Sequence, residues 1–108
     1  NFFSTYGPGT NLAHAGSIIF NSECQVKYIC SAIDYILENN IKHLKVKQDV
    51  VVSYQEKLEA RLNQMVWQHP SVSSWYQNSK GKVVTTSPWR LLEYWEWTKH
   101  FEPLDYEF

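Results

Sequence analysis

The residues best suited to hold a ligand lie at the start of the chain, where Gly7-Pro8-Gly9-Thr10-Asn11 follows the aromatic and β-branched run Phe2 to Tyr6. The run reads as a strand and the Gly-Pro-Gly segment as the turn that ends it. A strand that breaks through a glycine turn into a helix presents backbone N–H groups and the positive end of a helix dipole. That arrangement suits an anionic or electron-rich ligand and is half of a nucleotide-binding unit. A chain that opens inside such a strand, without an initiator Met, reads as cut from something larger. His14 follows Asn11 by three residues; it lines a pocket as readily as it caps a helix. Trp75 stands between Ser74 and Tyr76 with no periodic core role. Loops carry binding residues, though a tryptophan pinning its loop to neighbouring helices is an equally simple reading.

Other chemistries find little support. The histidines at 14, 43, 69 and 100 are scattered, with no carboxylate at ligand spacing, so no metal site is expected. Nothing resembles a strained turn presenting Ser or Cys as a nucleophile. Cys24 and Cys30, six apart on one helix, point about 120° apart and cannot bridge within it; they read as small apolar fillers in a reducing compartment. Ten basic and eleven acidic side chains give a net charge of -1. That balance speaks against nucleic acid or an anionic membrane as partner. No run is long and apolar enough for a membrane span and no leader is evident, so the expected location is cytoplasmic.

These residues need elements to position them, and the expected fold is mainly α, an α+β fragment. The spacing of Val26, Ile29, Cys30, Ile33, Ile36 and Leu37 predicts an amphipathic helix closed by Asn39-Asn40. Its start is set by Ser22 with Gln25 as a capping box, or else Ser17-Ile18-Ile19-Phe20 already belong to the same long helix. Glu23 suits its first turn as a dipole-complementing acid. Leu44 to Lys47 reads as a short extended segment. A second helix begins near Asp49, carries Tyr54, Leu58, Leu62, Met65 and Val66 on one side, and stops at His69-Pro70. The two helices are expected to form an αα-hairpin. Residues 71–87 read as an irregular aromatic loop with a turn at Ser79-Lys80-Gly81 and a weak strand over Lys82 to Thr86. Ser87-Pro88 predicts the cap and first position of a short third helix, followed from Phe101 by a tail. The domain division is 1–22, strand, glycine turn and helix start, and 23–108, a helical subdomain.

The order of four segments resembles the C-terminal part of Baeyer–Villiger-type flavin-dependent monooxygenases. They are Asn1 to Asn11, Glu23 to Ile29, Ser74-Trp75-Tyr76 and Asp105-Tyr106-Glu107. The resemblance covers essentially the whole chain. It implies a parent with FAD- and NADP-binding domains upstream, and a first segment that completes the FAD-binding Rossmann domain. NADPH would reduce the flavin, and O2 would then deliver one oxygen to a ketone or a heteroatom of a small organic substrate. By the same resemblance, Gly9, Thr10 and Asn11 would lie beside the flavin and Trp75 on a mobile loop over the nicotinamide cofactor. Leu12, Ala13 and His14 would border the substrate. No catalytic residue is assigned here: the family's arginine lies upstream, and neither Arg61 nor Arg90 takes that role. The nucleotide fingerprints are absent, so the segment alone is expected to bind no cofactor and to be inactive.

The competing reading is a small helical interaction module with an aromatic surface, motivated by Trp89, Trp95 and Trp97. Phe2, Phe3 and Tyr6, as an unpaired strand edge, would also make the isolated chain self-associate.

Overall fold

A computed structural model describes residues 2–13 and 16–108. Three α-helices dominate: α1 (Ile18–Glu38), α2 (Gln48–Leu62) and α3 (Leu91–Thr98). A two-stranded sheet, β1 (Lys45–Val46) with β2 (Tyr106–Glu107), and two single-turn 3-10 segments complete the fold.

Helix α1 starts upstream of the Ser22–Gln25 pair, taking in Ile18 to Phe20, and Ser17 caps it: the Ser17 Oγ accepts from the Phe20 N–H at 3.3 Å. Ser22 and Gln25 lie inside the helix and make other contacts. At the far end Asn40 takes a positive φ of 53°, and the Ile41 N–H donates to the Ile36 carbonyl at 2.9 Å. The Asn40 N–H donates to Leu37, so Asn39-Asn40 closes the helix in a Schellman motif.

The packing of α1 departs from expectation. It packs on α3 rather than pairing with α2 as an αα-hairpin. The side it buries carries Asn21, Cys24, Gln25 and Ala32, while Val26, Ile33 and Leu37 of the apolar stripe are 52%, 42% and 72% exposed. Small residues explain the choice, because Ala32 and Cys24 let a neighbour approach closely. Gly16 acts alike: a Cβ there would stand 3.2 Å from the Leu91 Cδ1. Cys24 is the buried filler expected, but Cys30 is exposed.

Aromatic rings extend the packing beyond α3. Phe101 lies against Tyr28, Tyr35 and Tyr106, with ring centroids 5.8, 5.3 and 4.8 Å away. The Tyr28 and Tyr106 hydroxyls are 2.7 Å apart. The tail is therefore ordered. Its strand β2 pairs antiparallel with β1, Lys45 opposite Glu107 and Val46 opposite Tyr106. The extended segment at Leu44 to Lys47 is thus found, with the tail as its partner.

Helix α2 ends at Leu62, and a separate 3-10 turn, Val66–Gln68, occupies the remainder of the stretch expected to be helical. Helix α3 begins at Leu91 rather than at Pro88, and Glu93 caps it by accepting the Arg90 N–H at 2.9 Å. Ser87 and Pro88 are instead buried in the extended approach. The Lys82 to Thr86 strand is reduced to isolated bridges at Val83 and Thr86.

Replacing the fully buried Ala32 with Leu should overpack the α1–α3 contact and cost about 1–3 kcal/mol, read as a lowered urea midpoint at unchanged m-value. Burial, with the mutual hydrogen bond second, raises the pKa of Tyr28; burial also raises those of Tyr106 and Tyr94. A raised folded pKa means that the unfolded chain loses its phenolic protons first. The stability these groups contribute is present below the unfolded value of about 10 and is lost as pH rises beyond it. Tyr28→Phe should flatten the alkaline limb of a stability–pH curve.

Candidate functional site

Phe2 to Tyr6 form no strand. Among the described residues no neighbouring strand is available to pair with them, and Tyr6 turns back with a φ of 56°. Its backbone N–H donates to the Gln25 Oε1 at 3.2 Å, and its hydroxyl bonds the Ile18 carbonyl and the Ser22 Oγ. Tyr6 is therefore pinned to α1, and the strand edge on which self-association was to rest is not formed.

The turn itself is present. Gly9 is buried with a φ of 76°, a conformation that glycine adopts without strain. The Thr10 hydroxyl donates to the Gly7 carbonyl at 2.6 Å and closes the loop. Asn11 then leaves the turn in extended form: its N–H donates to the Thr85 carbonyl at 3.0 Å and its carbonyl accepts from the Ser87 N–H at 2.8 Å. This parallel bridge across Thr86 takes the place of the helix expected directly after the turn, since α1 begins only at Ile18. Leu12 and Ala13 follow, both half-buried, and His14 lies outside the described residues.

A concavity of about 620 Å³ opens beside the turn, walled by Gly7, Thr10 and Asn11 together with Tyr6, Ile18 and Thr85. Thr85 and Tyr6 were missed in the sequence. No spacing signal could have found Thr85, which reaches the site only through the bridge. On the other side of Gly9 a larger cleft of about 710 Å³ lies against α2, between Tyr54 and Leu58 and the Val83-Val84 segment.

Trp75 projects into solvent, 90% exposed, with its ring 5.6 Å from that of Tyr76. Its loop is well anchored all the same. Asn78 Oδ1 accepts from the Lys80 and Lys82 N–H groups around Gly81, whose φ is 74°, which forms the expected turn. Gln68 donates to the Gly81 carbonyl and accepts from the Val83 N–H, at 2.7 and 2.9 Å. The loop thus holds Trp75 out without burying it.

Both arginines considered have structural surroundings. Arg61 lies 3.6 Å from Glu93 and over the Trp89 ring, and Arg90 precedes α3. Trp89 is 7% exposed, donates to the Tyr54 hydroxyl and meets Trp97 edge-on at 4.8 Å. It is core and so takes no part in an aromatic interaction surface, whereas Trp95 and Trp97, the other two residues of that reading, are 39% and 48% exposed. No three His, Cys, Asp or Glu side chains gather as a metal site, and no helix is long and apolar enough to cross a membrane, among the described residues.

Against curated proteins, the chain is 39% identical over 98% of its length to an uncharacterized monooxygenase, y4iD, of Sinorhizobium fredii. It is 29% identical over 98% of its length to a Baeyer–Villiger monooxygenase of Pseudomonas aeruginosa. The chain is homologous to a segment of monooxygenases, Baeyer–Villiger enzymes among them. An FAD-binding monooxygenase, ktnD, of Aspergillus niger is 28% identical over 87% of the chain. The chain spans only 16%, 20% and 16% of these three relatives. No protein-family profile matches it, and no solved structure does.

Gly9→Ala would bring a Cβ only 3.6 Å from the Leu58 Cδ2, an ordinary contact, so its cost is the backbone conformation alone. The expected loss is about 1–2 kcal/mol, measured by chemical denaturation.

Proposed function

We propose that this chain is the C-terminal part of an FAD- and NADPH-dependent monooxygenase that adds one oxygen from O2 to a ketone or to a heteroatom of a small organic substrate. The observation that carries the reading is the near-complete alignment of the chain with monooxygenases, two of whose printed names specify Baeyer–Villiger or FAD-binding enzymes. In this reading residues 1–22 complete the FAD-binding domain and residues 23–108 form a helical subdomain joined to it through the continuous helix α1.

The concavity walled by Gly7, Thr10 and Asn11 has the size and mixed lining that an edge of a flavin ring requires. Bound there, the flavin supplies the redox and oxygen chemistry. The chain's own part is to position it. Because the Asn11 N–H is engaged by Thr85, Asn11 becomes the anchor of the turn, the main-chain donor facing a reduced ring is assigned to Thr10, and Gly9, which borders the cleft on the α2 side, serves by shaping the turn. Leu12 and Ala13, with His14, continue from that anchor to border the substrate. Trp75, exposed on an anchored loop, is the side chain available to close over the nicotinamide cofactor and exclude water.

The polypeptide that carries this segment should be yellow when purified and should oxidise NADPH in the presence of a ketone or thioether. A colourless protein would overturn the reading, and the 108-residue chain alone should oxidise no NADPH. Trp75→Ala should lower kcat of the whole enzyme about tenfold or more while leaving its melting temperature within a degree or so, because the ring is not part of the core. Esters formed from ketones would identify Baeyer–Villiger chemistry, and sulfoxides or N-oxides alone would favour a heteroatom oxygenase.

A further inference from the structure

Helix α1 has two apolar-bearing sides, and this chain covers one. Opposite the side that meets α3 stand Ile19, Val26, Cys30, Ile33 and Leu37, all exposed. At 100° per residue they fall within a strip about 60° wide, and at 1.5 Å per residue the strip is about 27 Å long. Isolated surface apolar groups are ordinary, but a continuous row along a 21-residue helix is not. The chain as a whole is also under-covered. Its accessible surface of 7648 Å² exceeds the about 6,300 Å² expected of a folded monomer of 12.8 kDa. The surplus is larger than the roughly 800 Å² that one partner contributes to a standard interface. The homologous monooxygenases continue for more than three-quarters of their length outside this segment.

We infer that the Ile19–Val26–Cys30–Ile33–Leu37 strip is the surface on which the remainder of the longer monooxygenase polypeptide packs, apolar side chains against apolar side chains. The inference rests on the reading of the chain as part of such an enzyme. The occupant is the same polypeptide rather than a second copy, because covalent linkage gives a tethered apolar face an effective concentration in the millimolar range, which a free copy lacks.

Cys30 sits within the strip and reports its cover. The test is N-ethylmaleimide labelling of Cys30 in the purified full-length polypeptide, read by peptide mass spectrometry, at micromolar and nanomolar protein. Labelling at least about 100-fold slower than in denaturing urea, at both concentrations, is the expected result. Native labelling within about tenfold of the unfolded rate would overturn the inference, as would protection that disappears on dilution, which would indicate a second copy. Ile33→Asp should also lower the melting temperature of the full-length protein by about 5 °C or more, whereas Asp34→Asn should not. An unchanged melting point for Ile33→Asp counts against the inference. Flavin absorbance and NADPH oxidation are read separately, so a protected Cys30 in a colourless protein would sink the monooxygenase reading and leave the surface assignment standing.

Discussion

The two hydrogen bonds on either side of Asn11 join the glycine turn to the segment at residues 85–87. They fix the glycine turn against the segment that carries Thr86, Ser87 and Trp89, all buried. A turn with Gly9 at positive φ has no intrinsic reason to stay in one place. The main-chain bridge supplies it: the N–H of the buried Ser87 finds its acceptor in the Asn11 carbonyl, and left without one it would cost about 1–3 kcal/mol. With the turn fixed, Tyr6 can reach Gln25 and the first turn of α1, and the concavity between turn and helix is defined. The Thr86 Oγ1 at the centre of this bridge and the Asn21 Oδ1 on α1 are buried without a hydrogen-bond partner among the described residues.

Local signals were legible where local physics decides the outcome. Asn39-Asn40 closes α1 because an asparagine accepts the left-handed conformation of the Schellman position. Gly81 turns its loop for the corresponding reason. Leu44 to Lys47 is extended, although only the tail, distant in sequence, supplies its partner. What could not be read were choices made by tertiary packing. The most hydrophobic stripe of α1 is the obvious candidate for its buried face, yet α3 packs on the face with Ala32, Cys24 and Gln25. Periodicity identifies that a helix has an apolar side and is silent about which neighbour covers it. The strand expected at Phe2 to Tyr6 fails for a related reason. A strand is defined by its pairing, and no pairing partner stands among the described residues.

For the candidate site the pattern is similar. The turn residues Gly9, Thr10 and Asn11 were named from composition and order, and the geometry gives each a distinct part. Gly9 provides the left-handed step, Thr10 closes the loop with its hydroxyl, and Asn11 docks the turn. Their neighbours Tyr6 and Thr85 come from separate stretches of the chain and join them only in space. Homology adds what neither composition nor local geometry supplies, the monooxygenase context of the segment.

The contact between the Tyr28 and Tyr106 hydroxyls spans 78 positions of sequence. At synthesis rates of roughly 5–20 residues per second, Tyr106 leaves the ribosome about 4–16 seconds after Tyr28. Helix α1 is thus born with the side that meets α3 uncovered. For that interval its persistence depends on its capping residues and on whatever has already been translated or is at hand to shield it, which makes the nascent chain at this stage a natural client for chaperones.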